Sequence, residues 1–427
     1  MQDIKLIREH PEIIKKDLKK RREEDKIKWV DDVREYDKKW RELTQEVNKL
    51  RHKRNVLTQE IAKLKKKGKD AKAKMKEVKQ IPDKIKKLEV QVEDYRKKTD
   101  YILMKLPNVL HESVPYGKDE NDNVVIRSWG KPSKFDFKPK THMQIMKDLG
   151  LVDAERAAKV AGAGFLYLKN EMVLLDLAIQ KFAINFLIKR GYTLIEPPFM
   201  INRKAYEGMI DFEDFEMVTY NIAGTDLYLI ATSEHPMGAM HIDEVLDKKD
   251  LPIKFVGVSP CFRKEVGTHG KYTKGLFRMH QFNKVEQFIF CLPEQSWKFH
   301  EELQRNSEEM YQQLGLHYHV VNVCTGDIGT IAAKKYDIEV WMADDQFRET
   351  GSNSNCTDYQ ARRLNIRYRE KEGQAPAGFV HTLNNTALAT SRTMMAILEQ
   401  FQQKDGSVII PKVLRPFMNG IEKLEKK

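Results

Sequence analysis

Two short runs carry the residues best suited to chemistry: Cys261-Phe262-Arg263-Lys264-Glu265, and Leu276-Phe277-Arg278-Met279-His280-Gln281-Phe282-Asn283-Lys284-Val285-Glu286. On an extended strand alternate side chains share a face. Arg263 and Glu265 are therefore expected on one side, and Arg278, His280, Phe282, Lys284 and Glu286 on one side of the returning strand. Cations, carboxylates and one aromatic ring on a common face make a poor core. They can instead hold a nucleotide without a P-loop: arginines for the phosphates, a ring for the base, carboxylates for a metal or an amine. The bland alternative is a solvent-facing strand pair laced with ion pairs. The intervening 266–276 stretch holds Gly267, Gly270 and Gly275 with several lysines, as suits a loop that closes over a substrate or touches a nucleic acid end.

Other nucleotide signatures are missing. Gly162-Ala163-Gly164 lacks the third glycine of a dinucleotide fingerprint, and Gly270-Lys271 lacks the P-loop spacing. Four cysteines, Cys261, Cys291, Cys324 and Cys356, form no C-x-x-C pair, which argues against structural zinc and for buried thiols in a reducing compartment. The N-terminus has no signal-like apolar run and no stretch is long enough to span a membrane. A cytoplasmic location is expected.

The elements that would position such a site fall in two halves. The chain has 427 residues, 32% of them charged, with a net charge of +12. In the first part Val33, Tyr36, Trp40, Leu43, Val47, Leu50, Leu57, Ile61 and Leu64 recur at alternating steps of three and four, with Arg54 interrupting. A second series runs Val78, Ile81, Ile85, Leu88, Val92, Tyr95, Thr99, Ile102, Leu106. These are heptad seams, and Lys67-Gly68-Lys69-Asp70 offers a turn between them. An antiparallel helical hairpin of roughly 60 Å is expected at about 1.5 Å per residue, with Pro82 kinking or interrupting its second helix. Residues 44–81 carry 13 Lys and Arg against 4 Asp and Glu, net +9. A solvated coiled coil or a dimerisation rod is one reading; an arm gripping a polyanion such as RNA fits the sign bias better. Dense Pro, Gly, Asn and Asp mark 107–133 as a linker with turns. A mixed body follows over 134–427. It has an amphipathic helix over 170–190, an extended segment at 192–196, short strands at 227–231, 255–258, 277–290, 318–323 and 337–341, and a last helix from near Thr386 through Leu398. An α+β body on an antiparallel sheet is expected.

The Cys261–Glu286 layout resembles motif 2 of class II aminoacyl-tRNA synthetases, F-R-x-E, a loop, then R-x-x-x-F-x-x-x-E. Leu383-Asn384-Asn385-Thr386-Ala387-Leu388-Ala389-Thr390-Ser391-Arg392 resembles motif 3. Asn170–Pro198 resembles motif 1, the family's homodimer interface, although a core helix explains that segment equally well. Ala231-Thr232-Ser233-Glu234 resembles a T-x-E serine signature. Arg348–Arg363, R-E-T-G-S-N-S-N-C-T-D-Y-Q-A-R-R, resembles the long signature of the seryl-tRNA synthetase family.

The resemblance implies activation of L-serine with ATP and transfer to tRNA(Ser), leaving the selenocysteine tRNA open, with residues 1–106 as the tRNA-binding domain. It assigns Arg263 and Arg392 to catalysis. Arg263, Lys264, Glu265, Met279, Phe282, Glu349, Thr350, Gly351, Ser352 and Arg392 would bind ATP. Thr232, Ser233, Glu234, Arg263, Glu286, Asn384 and Thr386 would bind serine, and Glu349 and Ser352 a Mg²⁺ ion. Asn385, Ala387 and Ser391 stand where bacterial members favour glycine, which leans toward the archaeal and eukaryotic branch. A paralogue loading a carrier protein, or an inactive RNA-binding relative, are the alternatives. The charged hairpin speaks against the first and the intact Arg263, Arg392 and T-x-E residues against the second.

Overall fold

The computed structural model describes residues 1–211, 215, 217–265 and 275–426. The chain divides into two compact units, Met1–Val109 and Leu110–Lys427. In the first, two short helices, α1 (Ile4–Glu9) and α2 (Pro11–Arg21), precede a hairpin of α3 (Ile27–Lys66) and α4 (Lys72–Lys105). Every apolar residue assigned to the two seams is buried or half-buried, while their neighbours on the outer faces are exposed. Gly68 turns the chain at the tip with a left-handed φ of 68°, a conformation that costs glycine little. α4 runs unbroken through Pro82. The flanking seam residues Val78, Ile81 and Ile85 are packed against Val47 and Leu57 of α3, and this burial holds the helix across the missing backbone donor. At the base, Asp37 is buried under Arg8 and Arg41.

The second unit is built on an eight-stranded sheet. Its strands are β1 (Val124–Trp129), β2 (Thr193–Ile195), β3 (Ile253–Phe262), β4 (Gln281–Cys291), β5 (Tyr318–Asn322), β6 (Lys334–Trp341), β7 (Phe347–Asn355) and β8 (His381–Ala389), in the spatial order β1-β5-β6-β7-β8-β4-β3-β2. All pairs are antiparallel except β2–β3. One face is covered by helices α5 (Glu171–Ile188), α6 (Ser296–Leu314) and α7 (Thr390–Gln400), whose apolar residues share one core with the sheet. The other face is left open over β4, β7 and β8, where it carries the polar residues described below.

Three further expectations change. The 107–133 stretch does contain turns, but Val124–Trp129 pairs with β5 as an edge strand, with Ile126 skipped at a bulge, and Leu110 and Val114 bury against Val321 and Val323. The β-branched run outweighs the turn residues around it. The last helix begins at Thr390, not Thr386: residues 381–389 are strand β8, paired to β4 with Thr386 opposite Glu286. Asn and Thr favour neither helix nor strand strongly, so pairing on both sides decides. α5 is apolar almost all round rather than amphipathic. Ten of its residues are buried, yet Val173, Leu177 and Ile188 are exposed.

All four cysteines are free and buried. Among the described residues no helix is long and apolar enough to cross a membrane.

Candidate active site

The β3–β4 ladder ends at the pair Phe262–Gln281. Arg263, Glu265, Arg278 and His280 therefore stand just beyond the ladder, not on it. Glu265 adopts a left-handed φ of 49° and forms an ion pair with Arg278. His280 turns away from the open face, stacking on Phe165 and bonding the Tyr220 hydroxyl at 2.8 Å. Arg263 donates from Nε to the Ala231 carbonyl at 3.3 Å, and its guanidinium lies 5.3 Å from the Phe282 ring centre.

Arg392 is on the first turn of α7, where the helix dipole repels a cation. It is held instead by acceptors: Nη1 donates to the Glu349 carbonyl at 2.8 Å and lies 3.3 Å from the Glu349 carboxylate. The guanidinium sits 4.8 Å over the Phe277 ring. Two arginines thus face each other across a cleft whose walls include Glu265, Met279, Phe282, Glu349, Thr350 and Gly351. Gly351 is closely packed: a Cβ there would stand 3.2 Å from the Thr386 carbonyl oxygen, which would have to give by a few tenths of an ångström.

A second cleft of about 470 Å³ opens from the first, sharing Arg263, Lys284, Glu349 and Thr386 with it. Thr232, Glu234, Glu286, Ser352 and Asn384 line it. Burial and the neighbouring Glu286 push the Glu234 carboxyl up to about 7. Its oxygen accepts from Asn384 at 3.0 Å and Gln360 at 3.2 Å. Burial also raises Glu286, opposed by Lys284 and Arg263. Desolvation inside the cleft would raise Glu349 too, but Arg392, Lys335 and Arg263 outweigh it and hold its carboxyl below the ordinary range. His235, buried and beside Lys284 and Arg263, is depressed to about 3 and is a neutral imidazole.

Two expected residues do not reach either cleft. The Ser233 hydroxyl lies against Gly257 on β3, because adjacent residues of the turn point opposite ways. Lys264 is held by its backbone N–H to the Val218 carbonyl at 3.0 Å, and its side chain lines neither cleft. Thr350 is present through its backbone neighbourhood, its hydroxyl donating to the Ile338 carbonyl at 3.2 Å.

Sequence reasoning put Lys284 on the polar strand face without giving it a role, and passed over Gln360, Lys335 and Asp337. Gln360 lies inside the Arg348–Arg363 stretch, and Lys284 shares the alternation of Phe282 and Glu286. Lys335 and Asp337 alternate on β6, where Asp337 accepts the Ser352 hydroxyl and is raised to about 7 by burial against the pull of Lys335. A carboxylate, an ammonium and a hydroxyl at this spacing were the available signal.

Residues 1–110 match the seryl-tRNA synthetase N-terminal domain, and residues 217–401 the class II core domain of the G, H, P, S and T synthetases. The serine–tRNA ligase of Methanocella arvoryzae is 56% identical, covering 99% of this chain and 100% of the relative. The chain belongs to the seryl-tRNA synthetase family. Its enzyme class is that of the serine–tRNA ligases, class II aminoacyl-tRNA synthetases. The serine–tRNA ligase of Pyrococcus horikoshii is 52% identical, covering 97% of this chain and 95% of the relative. The crystal structure of seryl-tRNA synthetase from Pyrococcus horikoshii complexed with ATP matches with a TM-score of 0.94 at 51% identity, over 100% of both chains. That of the cytoplasmic enzyme from Naegleria fowleri in complex with AMP matches at 0.89 and 35%, over 100% of this chain and 99% of the other. These relatives bear out the family assigned from motifs 2 and 3, the serine signature and the α+β fold.

Proposed function

We propose that the two joined clefts activate L-serine with ATP and pass the seryl group to tRNA(Ser). The observation that carries the assignment is the shared wall: Arg263 stands where a nucleotide cleft meets a cleft furnished with Glu234, Glu286 and Thr386. The adenine ring stacks on Phe282, with Glu265 and the backbone of Met279 at its edge. Arg392 meets the γ-phosphate, and Arg263 spans the α-phosphate and the serine carboxylate. Glu234 takes the serine ammonium; Glu286 and Thr386 bond the hydroxyl. A site built around a hydroxyl rejects alanine because its own polar groups would be left unpaired.

A serine carboxylate oxygen attacks the α-phosphorus in line, and pyrophosphate leaves. A ribose hydroxyl of the terminal tRNA adenosine then attacks the carbonyl of the seryl-adenylate, releasing AMP. Positioning and fixed positive charge do the catalysis, and no covalent nucleophile is required. The donor set fits Mg²⁺: Glu349 is an ionised carboxylate, 45% exposed at the cleft, and Ser352 adds a hydroxyl. One or two protein oxygens plus phosphate oxygens are its usual setting. Bound there, the ion would neutralise phosphate charge.

The basic α3–α4 tip grips tRNA(Ser). The motif 1 segment Asn170–Pro198 pairs with a second copy; Val173, Leu177, Ile188 and Leu194 leave an apolar surface on it, 40–54% exposed. The protein works in the cytoplasm as a homodimer.

ATP–pyrophosphate exchange across all twenty amino acids, without tRNA, tests the assignment. Exchange with serine alone is expected; exchange with another amino acid, or none, overturns it.

A further inference from the structure

Lys284 is a buried cation that none of the steps above employs. It lies on β4 two residues before Glu286, with its side chain 7% exposed. Its Nζ forms an ion pair with the Glu286 carboxylate and lies 3.5 Å from the Thr386 hydroxyl. β8 brings Thr386 directly opposite Glu286, at a point where the β4–β8 register shifts between Val285 and Glu286. The lysine thus bridges the two side chains assigned to the serine hydroxyl. Other polar groups on the same cleft include Arg263 just past β3, Thr232, and Glu234 and His235 at the start of the short helix Glu234–Gly238. Thr232 also reaches Glu286, at 3.5 Å.

A buried ion pair is a weak source of stability, because desolvation offsets most of the attraction. What it does supply is a fixed charge state and orientation. Burial alone would favour the neutral acid at Glu286, a donor as well as an acceptor, and Lys284 with Arg263 opposes that.

We propose that Lys284 is a specificity-positioning residue, holding the Glu286 carboxylate as a fixed hydrogen-bond acceptor beside Thr386 so that the cleft reads the serine hydroxyl. The idea rests on the serine assignment of the second cleft. Because Lys284 also lines the nucleotide cleft, a direct phosphate contact is the competing role.

The probes are two non-reactive acyl-adenylate mimics, seryl- and alanyl-sulfamoyl adenosine, measured by calorimetry on the full-length protein. They differ only in the hydroxyl. The unaltered protein is expected to favour the seryl mimic by about 10⁴-fold, the scale for a site built to bond a hydroxyl. K284M is expected to reduce that preference below about 100-fold while alanyl-mimic affinity changes by less than about threefold. A K284M that weakens both mimics equally, or keeps the preference, overturns the proposal and points to the phosphate role. No seryl preference in the unaltered protein would instead defeat the serine assignment. Should K284M fail to fold, K284Q carries the same measurement, and K284M/E286Q gives a second one. If the lysine acts through Glu286, the double variant melts higher than either single variant and shows no seryl preference beyond that of E286Q. A double variant that is as unstable as the singles, or whose losses add, overturns the idea.

Discussion

Glu234 and Glu286 share one buried cleft with Lys284 and Arg263, and their protonation decides what the cleft can bind. With its carboxyl pushed up to about 7 by burial and then by Glu286, Glu234 is largely protonated at pH 6 and ionised at pH 8. Only the ionised form pairs with an ammonium. Serine affinity is therefore expected to rise from pH 6 to pH 8, and E234Q to flatten that rise; calorimetric titration of serine across the range checks it. Glu286, Lys284 and Arg263 act on this carboxyl, and His235 on the same cleft stays neutral throughout. The same shift bears on folding. The folded state holds a proton that the unfolded chain, with an ordinary carboxyl near 4.5, gives up. This group's contribution is thus full below that value and is lost as pH rises through about 7. Denaturant melts of E234Q against the unaltered protein should converge near pH 5 and diverge, with E234Q the more stable, near pH 8. Among the described residues the Arg263 side chain makes one hydrogen bond, at 3.3 Å to the Ala231 carbonyl, so R263A should keep the fold while lowering pyrophosphate exchange by at least about 10²–10³-fold. Normal exchange with a native circular dichroism spectrum would remove it from the chemistry.

The hairpin was legible because one seam residue in each three or four is apolar and the pattern runs for many turns. Its tip is basic in excess of what its own ion pairs use: Lys53–Glu77 and Lys74–Glu60 cross between α3 and α4, and 13 cations face 4 acids over 44–81. Leu50 and Ile85 lie in one seam cluster. Replacing residues 51–84 by a short turn should then leave serine-dependent pyrophosphate exchange within about twofold and cut aminoacylation of tRNA by more than about 100-fold. Equal loss of both steps would make the hairpin a folding element. Strand-level detail was less legible. Motif 3 straddles the end of β8 and the start of α7, and Asn384-Asn385-Thr386 has no strong preference of its own. Asn385 is fixed by a 2.7 Å bond to the Leu303 carbonyl on α6, a partner far off in sequence.

For the molecule as a whole, the exposed apolar side chains on the motif 1 segment argue for a second copy. Val173 and Leu177 are one helical turn apart on α5, so V173D/L177D should convert a dimer to a monomer in sedimentation velocity while the isolated unit stays folded. An unchanged mass would place the interface elsewhere. Repeats of apolar residues and the charge count were enough by themselves to mark out the hairpin, and the motif spacings were enough to single out Arg263, Phe282 and Arg392 as candidates through a family resemblance. These are properties of neighbours along the chain, or of patterns long enough to outvote local noise. The chain alone did not show that Val124–Trp129 closes the sheet edge, that Ser233 turns away from the cleft, or that Lys284 bridges Glu286 and Thr386. Each depends on which strand lies beside which, and burial and electrostatics act through space between residues that the sequence keeps up to hundreds of positions apart.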